Sequence, residues 1–505
     1  MKRFFYTIFI SLLFCFPLAA EEFVLLNTRD VEYKDIDLFS GVRSIPGQIT
    51  YDQMVEDVKQ LSYILSAGYA GYDDMFKVGF RPSKFEDAII NSFNKDQSVL
   101  TRDFFEVLCA YLKKYVNDGH FQLFYNLKTG HFCTKKIIFW SDTYLIKDGF
   151  SFYVYQTNNP ELKQGEKYSD TYDNLFHYPV KGQDIFRLGF LEEYNDKNTI
   201  THSFNFNDKE IELELKNDGA IQSDSFKYHD FETPDSAYIS INSFLLPPKG
   251  NNTQYSTKII FDKFARCGKT FNRKKNIIVD LRHNSGGSLT YPATFYYILY
   301  KNLNAKKLNK LRDNTYDIIN DTFIPTEFIY SPVSQQARNE NSKARGQLDW
   351  VKIYESHLHD LKENPIREKY LIKVNKNYKQ LKNSKYKGKL IFIIDRNTVS
   401  AGEMTILQAK TIFGDDNVIV VGENSYGMSQ YWDLITLGLP NSNIGIHTAF
   451  EKKIIQDDFS EWAGDGVGIF PDYWTTGADL NQTIFLITND LDMKERLKNI
   501  EFSLQ

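Results

Sequence analysis

Residues Lys389 to Lys410, KLIFIIDRNTVSAGEMTILQAK, combine two patterns that decide the fold. The run from Leu390 to Ile394 is short, apolar and rich in β-branched residues, which predicts a buried strand. The apolar spacing that follows Glu403 predicts a helix. Ser400 therefore lies where a strand passes into a helix, and small residues follow it.

Two roles fit a serine at this position. A helix cap is the ordinary role, because a serine oxygen can accept a hydrogen bond from the first turn of the helix. A nucleophile is the other role, because the helix dipole favours negative charge beside its N-terminus. Ser400 alone does not distinguish them.

The N-terminal residues 1–20 have the pattern of a secretory signal peptide. Lys2 and Arg3 precede an apolar run, and small residues ending at Ala20 come before Glu21. The alternative, an uncleaved membrane anchor, needs about 20 apolar residues, and this run is shorter. We expect a periplasmic or secreted protein without stable membrane insertion after cleavage.

The composition is typical of a folded chain with several domains. Of the 505 residues, 42% are hydrophobic and 25% are charged. The formal charge of −5 gives no support for a nucleic-acid partner. Cys109, Cys133 and Cys267 remain after cleavage, so we expect one disulfide at most.

Three regions are predicted after the signal peptide. Residues 21–120 are predicted to form a helical N-terminal domain, because apolar residues recur at three- and four-residue steps from Ile49 to about Val116, and a turn signal follows at Asn117–His120. Residues 121–230 contain short aromatic and β-branched runs, which predict a β-rich middle region with room for a degenerate PDZ-like domain. Residues 231–505 alternate strands and helices, which predicts an α/β core.

A lysine-rich insert, residues 301–388, interrupts this predicted core. Helical patterns cover Gln347–Leu361 and Glu368–Leu381. The charges of the insert favour a solvated face. A lid over an active site is the alternative, because long insertions in enzymes often have that role.

A second predicted strand ends in a glycine turn. The strand covers Asn276–Leu281, and Gly286 and Gly287 follow it. Paired glycines let backbone N–H groups point into a cleft, as an oxyanion hole requires, although an ordinary tight turn also uses them. Asp280 and Arg282 are placed to form an ion pair at the end of the strand.

The histidines supply the candidate bases. Nine are present, and most are expected to be structural. His120 follows an Asp-Gly pair and becomes a candidate only together with Ser400. His357 and His359 do not share a helical face and no HExxH motif occurs, so no metal site is predicted.

Three motifs, in order, resemble those of the carboxyl-terminal processing (tail-specific) serine proteases. They are DLRHNSGG at 280–287, TVSAGE at 398–403 and GVGIFPD at 466–472, and an early Asp-Gly-His is also a family feature. The resemblance covers residues 237–475 well and the helical domain weakly. It implies a crotonase/Clp-protease-like core, with Ser400 as nucleophile and an oxyanion hole from Ala401 with Gly286 or Gly287.

The general base is where this sequence departs from the best-known branch of that family. That branch uses a lysine after the nucleophile, but Met428 stands at the matching position, and a thioether cannot take a proton from serine. The chain is more similar to the tricorn-like branch, which implies His120 as the base and Asp465 as its acidic partner, where glutamate is usual. His447 is the alternative base.

The resemblance therefore implies a serine endopeptidase that cleaves peptides or protein tails through an acyl-enzyme at Ser400. Its partners would be peptide or protein substrates, and it would need no cofactor. The alternative is a catalytically inactive protein that binds peptides or other ligands on the same scaffold.

Overall fold

A computed structural model describes residues 23–36, 44–179, 184–194, 198–217, 228–245, 254–301, 323–373, 385–455, 459–475 and 477–502. The predicted signal peptide and two parts of the insert, residues 302–322 and 374–384, lie outside these ranges. The chain divides into two compact units. Unit 1 comprises Met1–Thr134, Ile324–Asn375 and Met428–Asp458, and unit 2 comprises Lys135–Phe323, Lys376–Gly427 and Phe459–Gln505. The predicted boundaries at residues 120, 230, 301 and 388 stay predictions.

The strands of the described residues are numbered in chain order as β1 Phe23–Asp30, β2 Gln48–Ile49, β3 Val99–Leu100, β4 Asp118–Tyr125, β5 Lys128–Phe132, β6 Lys136–Asp148, β7 Ser151–Gln156, β8 Leu175–His177, β9 Ile185–Glu193, β10 Thr199–Phe206, β11 Lys209–Lys216, β12 His229–Glu232, β13 Ser236–Ser240, β14 Asn276–Asp280, β15 Thr326–Tyr330, β16 Ile366–Ile372, β17 Lys389–Ile394, β18 Val418–Gly422, β19 Tyr431–Gly438, β20 Gly445–Lys453 and β21 Tyr473–Trp474. The α-helices are α1 Tyr51–Tyr63, α2 Tyr72–Lys77, α3 Pro82–Ile90, α4 Thr101–Leu112, α5 Gln254–Thr270, α6 Thr290–Lys301, α7 Pro332–Ala344, α8 Leu348–Glu363, α9 Ala401–Phe413, α10 Leu480–Thr488 and α11 Leu491–Phe502.

Unit 1 packs helices against one antiparallel sheet. The sheet has the order β1-β16-β15-β20-β4-β5, with β19 paired to β20. Thr50 begins α1 with a capping box, since its side chain accepts from the Gln53 N–H and the Gln53 side chain accepts from the Thr50 N–H. Met54 of α1, Phe104 of α4 and Phe121 of β4 belong to one fully buried cluster. The helical pattern of the predicted N-terminal region therefore buries its apolar face here.

Unit 2 contains two sheets with different strand directions. The first is antiparallel, with the order β10-β11-β6-β9-β8 and with β7 paired to β6. The second has the order β12-β13-β14-β17-β18-β21 and is parallel from β13 onward. Leu390 to Ile394 of β17 are at most 1% exposed, as expected for a central strand covered on both faces. Mixed helix and sheet structure is thus confirmed.

Two sequence predictions of secondary structure are wrong. Asp118–His120, predicted as a turn, begins β4, which pairs with β5 and is irregular between Asp118 and Gln122. The start of the predicted helix at Glu368–Leu381 belongs to β16, which has strand partners on both sides, β1 and β15. At β16, pairing with the distant strand β1 outweighs the local pattern, whereas β4 pairs with β5, the next strand in the chain.

The sequence prediction of a helix in the insert is confirmed. The pattern at Gln347–Leu361 corresponds to α8. Cys109, Cys133 and Cys267 are buried free thiols, and burial raises the pKa of Cys109 to about 11. No helix within the described ranges has the length and apolar character needed to cross a membrane.

Candidate active site

The serine turn, residues 395–400, connects β17 to α9 in unit 2. Ser400 is the N-cap residue of α9 and has a φ of 52° and a ψ of −116°. A non-glycine residue adopts such a backbone conformation at a cost of roughly 1–3 kcal/mol, and the surrounding structure must hold it there. Part of this support is a hydrogen bond from the Ser400 N–H to Glu403 Oε2, at 3.0 Å.

The glycine loop, residues 281–287, follows β14, the parallel neighbour of β17 in the same sheet. Because both strands end at the same edge, the two loops meet there. A Cβ atom on Gly286 would lie only 2.8 Å from Ser400 Cβ and 3.2 Å from the Ala401 nitrogen. Gly286 also has a φ of 77°, so both its conformation and its contact with the serine turn require glycine.

Asn284 joins these two loops and was not singled out by the sequence patterns. Its side chain is fully buried and donates to the Ile241 carbonyl (2.8 Å), while its Oδ1 accepts from the Gly286 N–H (2.9 Å). Its backbone carbonyl accepts from the Val399 N–H (2.9 Å). The side chain of Asn284 thus holds the glycine loop in shape, and its backbone carbonyl bonds that loop to the serine turn.

The predicted ion pair at the end of β14 is present. Arg282 Nη2 lies 2.7 Å from Asp280 Oδ2, and Arg282 Nε lies 3.0 Å from Asp280 Oδ1. The Tyr238 hydroxyl donates to the same carboxylate at 2.8 Å. Asp280 is 1% exposed, so the pair is shielded from water and supports the start of the glycine loop.

Replacing Asp280 by asparagine is expected to lower the free energy of unfolding by about 3–5 kcal/mol, because Arg282, whose side chain is only 13% exposed, loses its counter-charge. Asp235→Asn is the matched control, since Asp235 pairs with Lys275 (3.1 Å) but both side chains are more than half exposed. That change should cost about 1 kcal/mol or less. Urea unfolding of both variants measures the difference, and equal effects would contradict the assignment.

Glu403 links the serine turn to a second segment of unit 2. Its fully buried carboxylate accepts from the Ser425 hydroxyl (2.5 Å) and the Gly427 N–H (2.7 Å), in addition to the Ser400 N–H. Ser425 Oγ in turn accepts from the Ile469 N–H at 2.7 Å. The only sequence signal for this role was the position of Glu403 in the motif TVSAGE.

Asp465 lies in the C-terminal glycine turn, residues 464–468. The Gly466 N–H donates to the Gly427 carbonyl at 2.9 Å, and the Gly468 N–H donates to the Gly464 carbonyl at 2.8 Å. Asp465 itself is 7% exposed. Through Gly427, this turn is therefore connected to the carboxylate of Glu403 and so to the serine turn.

His120 lies on β4 in unit 1 and is 7% exposed. Its ring forms a hydrogen bond with the backbone of Tyr431. The ring also packs edge-on against the Trp432 ring, with 6.4 Å between the two ring centres. Burial, with a smaller contribution from His447, lowers the pKa of His120 to about 4. The imidazole is therefore neutral at physiological pH, which is the form that can accept a proton.

Asp118 fixes the backbone that carries His120. Its carboxylate accepts from the His120 N–H (2.7 Å) and from the Tyr69 hydroxyl (2.8 Å). Complete burial raises the pKa of Asp118 to about 6. Asp118 bonds the backbone N–H of His120, so its role here is to hold the strand.

Met428 lies against the residue that precedes His120. A Cβ atom on Gly119 would lie 2.3 Å from Met428 Cγ. The methionine at the position that matches the lysine of the other branch therefore packs beside His120 within unit 1. His447, the alternative base, is on β20, and its Nδ1 lies 3.0 Å from Thr436 Oγ1.

The structure thus brings Ser400, Ala401 and Gly286 into one cluster in unit 2, with Gly287 next in the chain. Asp465 lies in the same unit, on a turn connected to that cluster. His120 lies in unit 1, so its approach to Ser400 stays a prediction. No group of three or more His, Cys, Asp or Glu side chains in the described part of the chain is arranged to hold a metal ion.

Residues 235–474, which contain the serine turn, the glycine loop and Asp465, match the model of peptidase family S41. These residues are therefore similar to the S41 peptidases, and we call them the S41 region. The three motifs of the predicted resemblance all lie within the S41 region, so the match supports the predicted resemblance. A match to this family implies a peptidase, a hydrolase that acts on peptide or protein substrates. None of the curated proteins compared with this chain matches it.

Three solved structures illustrate the structural likeness. Mature CPAF is 11% identical (85% of this chain, 94% of that chain, TM-score 0.37), and the photosystem II D1 C-terminal processing protease is 12% identical (85% and 93%, TM-score 0.33). The tricorn protease is 12% identical (89% of this chain, 37% of that chain, TM-score 0.34). At these identities and TM-scores, the three structures do not distinguish a histidine base from a lysine base.

Proposed function

We propose that this chain is a serine endopeptidase that cleaves peptides or protein tails through an acyl-enzyme at Ser400. The observation that carries the proposal is the contact between the strained serine turn and the glycine loop at the N-terminus of α9. This contact supports a nucleophile more than a simple helix cap, because a cap needs neither a strained backbone nor a close glycine. The S41 region supports the same reaction class.

The oxyanion hole would use two backbone N–H groups of this cluster. Ala401 follows the nucleophile at the helix N-terminus, where the helix dipole favours negative charge. The Gly286 N–H already donates to Asn284 Oδ1, so we assign the second donor to Gly287. Gly286 would then allow the close approach of the two loops, and Asn284 would hold it in place.

In the proposed reaction, Ser400 Oγ attacks the scissile carbonyl carbon while His120 accepts the hydroxyl proton. The N–H groups of Ala401 and Gly287 stabilise the oxyanion that forms. His120 then gives its proton to the leaving amine, and the acyl group stays on Ser400. A water molecule, deprotonated by His120, then attacks the acyl carbon, the bond from that carbon to Ser400 Oγ breaks, and His120 returns the proton to Ser400 as the second product leaves. Asp465 would orient the imidazole.

The location of the protein also belongs to this proposal. The pattern of residues 1–20 supports export and cleavage near Ala20. We therefore propose that the enzyme acts in the periplasm or after secretion, on peptides or proteins met there. The insert at 301–388 would contribute either a solvated face or a lid.

A fluorophosphonate probe tests this function, because it reacts with activated serines whatever the substrate is. We expect one label per chain, located on Ser400 by mass spectrometry, and none on Ser400→Ala or on the heat-unfolded wild type. A folded wild-type protein that takes no label would contradict the peptidase proposal. It would favour the alternative, a ligand-binding protein on a peptidase scaffold.

A further inference from the structure

Two arginines of unit 1 face each other across neighbouring strands. Arg29 of β1 and Arg367 of β16 are register partners in an antiparallel pair, so their side chains leave the sheet on the same face. Like charges directly opposite each other destabilise a sheet unless another group compensates them. We call these two residues the arginine pair.

Arg367 is 1% exposed, although arginine is almost never fully buried without a close partner. Its nearest carboxylate, Asp73, has an oxygen 3.9 Å from Arg367 Nη1. Asp73 lies closer to another cation, since its second oxygen is 3.0 Å from Lys369 Nζ. Burial, followed by the charge of Arg29, lowers the pKa of Arg367 to about 10.

Four nitrogens of the arginine pair make no hydrogen bond to the described residues. They are the Nε and Nη2 atoms of Arg29 and of Arg367. Arg29 stacks instead on the Tyr72 ring, with its guanidinium carbon 4.5 Å from the ring centre. Buried N–H donors of a charged group are costly to leave unpaired, so a missing acceptor is the simplest physical account of this arrangement.

The local charges also leave a positive excess. Arg29, Arg367 and Lys369 are opposed by Asp73 and by Glu327, which lies 3.2 Å from Lys369.

Arg29 is half-buried and lines an open cleft of about 520 Å³ in unit 1. The cleft lining has equal numbers of acidic and basic side chains, with Asp30, Glu32 and Glu86 as the acids, so its charge is balanced.

We infer that the arginine pair is a binding site for a phosphate-type oxyanion, either inorganic phosphate or a phosphate monoester. Two guanidinium groups offer four N–H nitrogens from two planes, which suits a tetrahedral ion with several oxygens and two negative charges. A carboxylate has two oxygens and one charge and would satisfy fewer donors. The four nitrogens are shielded from solvent, so the ion enters from the cleft as the Arg29 side chain turns. This inference does not depend on the proposed peptidase function.

Calorimetric titration of the full chain with inorganic phosphate tests the site, with sulfate and acetate added at the same ionic strength in separate runs. We expect one phosphate per chain and weaker binding of acetate. Arg29→Gln should raise the Kd by roughly tenfold to a hundredfold, because hydrogen bonds to a charged group are lost. Phosphate binding that is absent, or unchanged in this variant, would overturn the proposal, and acetate binding as tight as phosphate would overturn the choice of ion.

A second measurement separates a ligand site from a structural arginine. Arg338 is the matched control, because it is also buried in unit 1 but bonds directly to Asp433, with its Nε 2.7 Å from Asp433 Oδ2. In phosphate-free buffer, Arg338→Met should lower the Tm, whereas Arg367→Met should not, since it removes an uncompensated charge. Arg367→Met should also abolish the rise in Tm that phosphate gives the wild type. A fall in Tm like that of Arg338→Met would overturn the proposal.

Discussion

Replacing His120 by glutamine is expected to lower the rate of fluorophosphonate labelling of Ser400 by about 10⁴-fold or more, as the loss of a catalytic histidine does in serine proteases. Glutamine has a similar size and keeps a polar end, but it cannot accept the serine proton. The measurement is the second-order rate constant for labelling, followed by in-gel fluorescence. It needs no knowledge of the natural substrate.

Two other histidines complete this experiment. His131→Gln is the control, because His131 is exposed on β5 and belongs to no proposed site. It should label at the wild-type rate. His447→Gln distinguishes the two candidate bases. A large loss in His447→Gln with little loss in His120→Gln would make His447 the base and contradict the assignment.

The pH dependence of labelling follows from the environment of His120. Its pKa is lowered to about 4, first by burial and then by His447, so the neutral imidazole should predominate above about pH 5. Labelling should therefore reach a plateau near pH 5, well below the plateau of an imidazole with the ordinary pKa of about 6.5. The same lowered pKa makes His120 favour folding above about pH 6.5, and this contribution is lost as the pH falls toward 4.

Replacing Gly286 by alanine is expected to lower the labelling rate by about 10²–10³-fold, comparable to the loss of an oxyanion-hole donor. The new methyl group would lie 2.8 Å from Ser400 Cβ and 3.1 Å from the Val399 carbonyl oxygen. One of the two loops must then move, and the distance between the Gly287 N–H and the nucleophile changes with it. The free energy of unfolding should also fall.

Gly414→Ala is the matched control for this change. Gly414 has a φ of 84°, close to the 77° of Gly286, but a Cβ there would meet no atom within 4 Å. Both variants therefore have the backbone strain of an alanine at positive φ, roughly 1–2 kcal/mol. Only Gly286→Ala should lose labelling. Equal labelling of the two variants would mean that the contact with Ser400 is unimportant.

The parts of the site that lie within short motifs could be predicted from the sequence. Ser400 and the Gly286–Gly287 pair each follow an apolar strand directly, so the position of each loop at the sheet edge follows from local pattern. The ion pair between Asp280 and Arg282 is equally local. These residues are close in space because their strands are parallel neighbours, whereas the alternation of strands and helices had indicated only an α/β core.

The parts that depend on distant pairing could not be predicted. His120 lies in β4, which pairs with the distant strand β20 as well as with the neighbouring strand β5, although its local sequence resembles a turn. The arginine pair exists because β1 and β16, more than 300 residues apart, lie side by side. The sequence pattern of neither strand indicates that they pair or that Arg29 lies opposite Arg367. The sequence showed Glu403 only as part of the motif TVSAGE. Its bonds to Ser425 and Gly427 could not be predicted, because they join segments that are more than 20 residues apart.

The three hydrogen bonds of Glu403 impose an order on maturation. The conformation of Ser400 depends on partners at Ser425 and Gly427, which emerge from the ribosome later. The bond from the Ile469 N–H to Ser425 Oγ extends this dependence to residue 469. A nascent or truncated polypeptide that ends before residue 425 would carry the serine but lack the scaffold that shapes it. The environment that shapes the Ser400 hydroxyl would form only after residues 425 to 469 have been made and have folded against the serine turn.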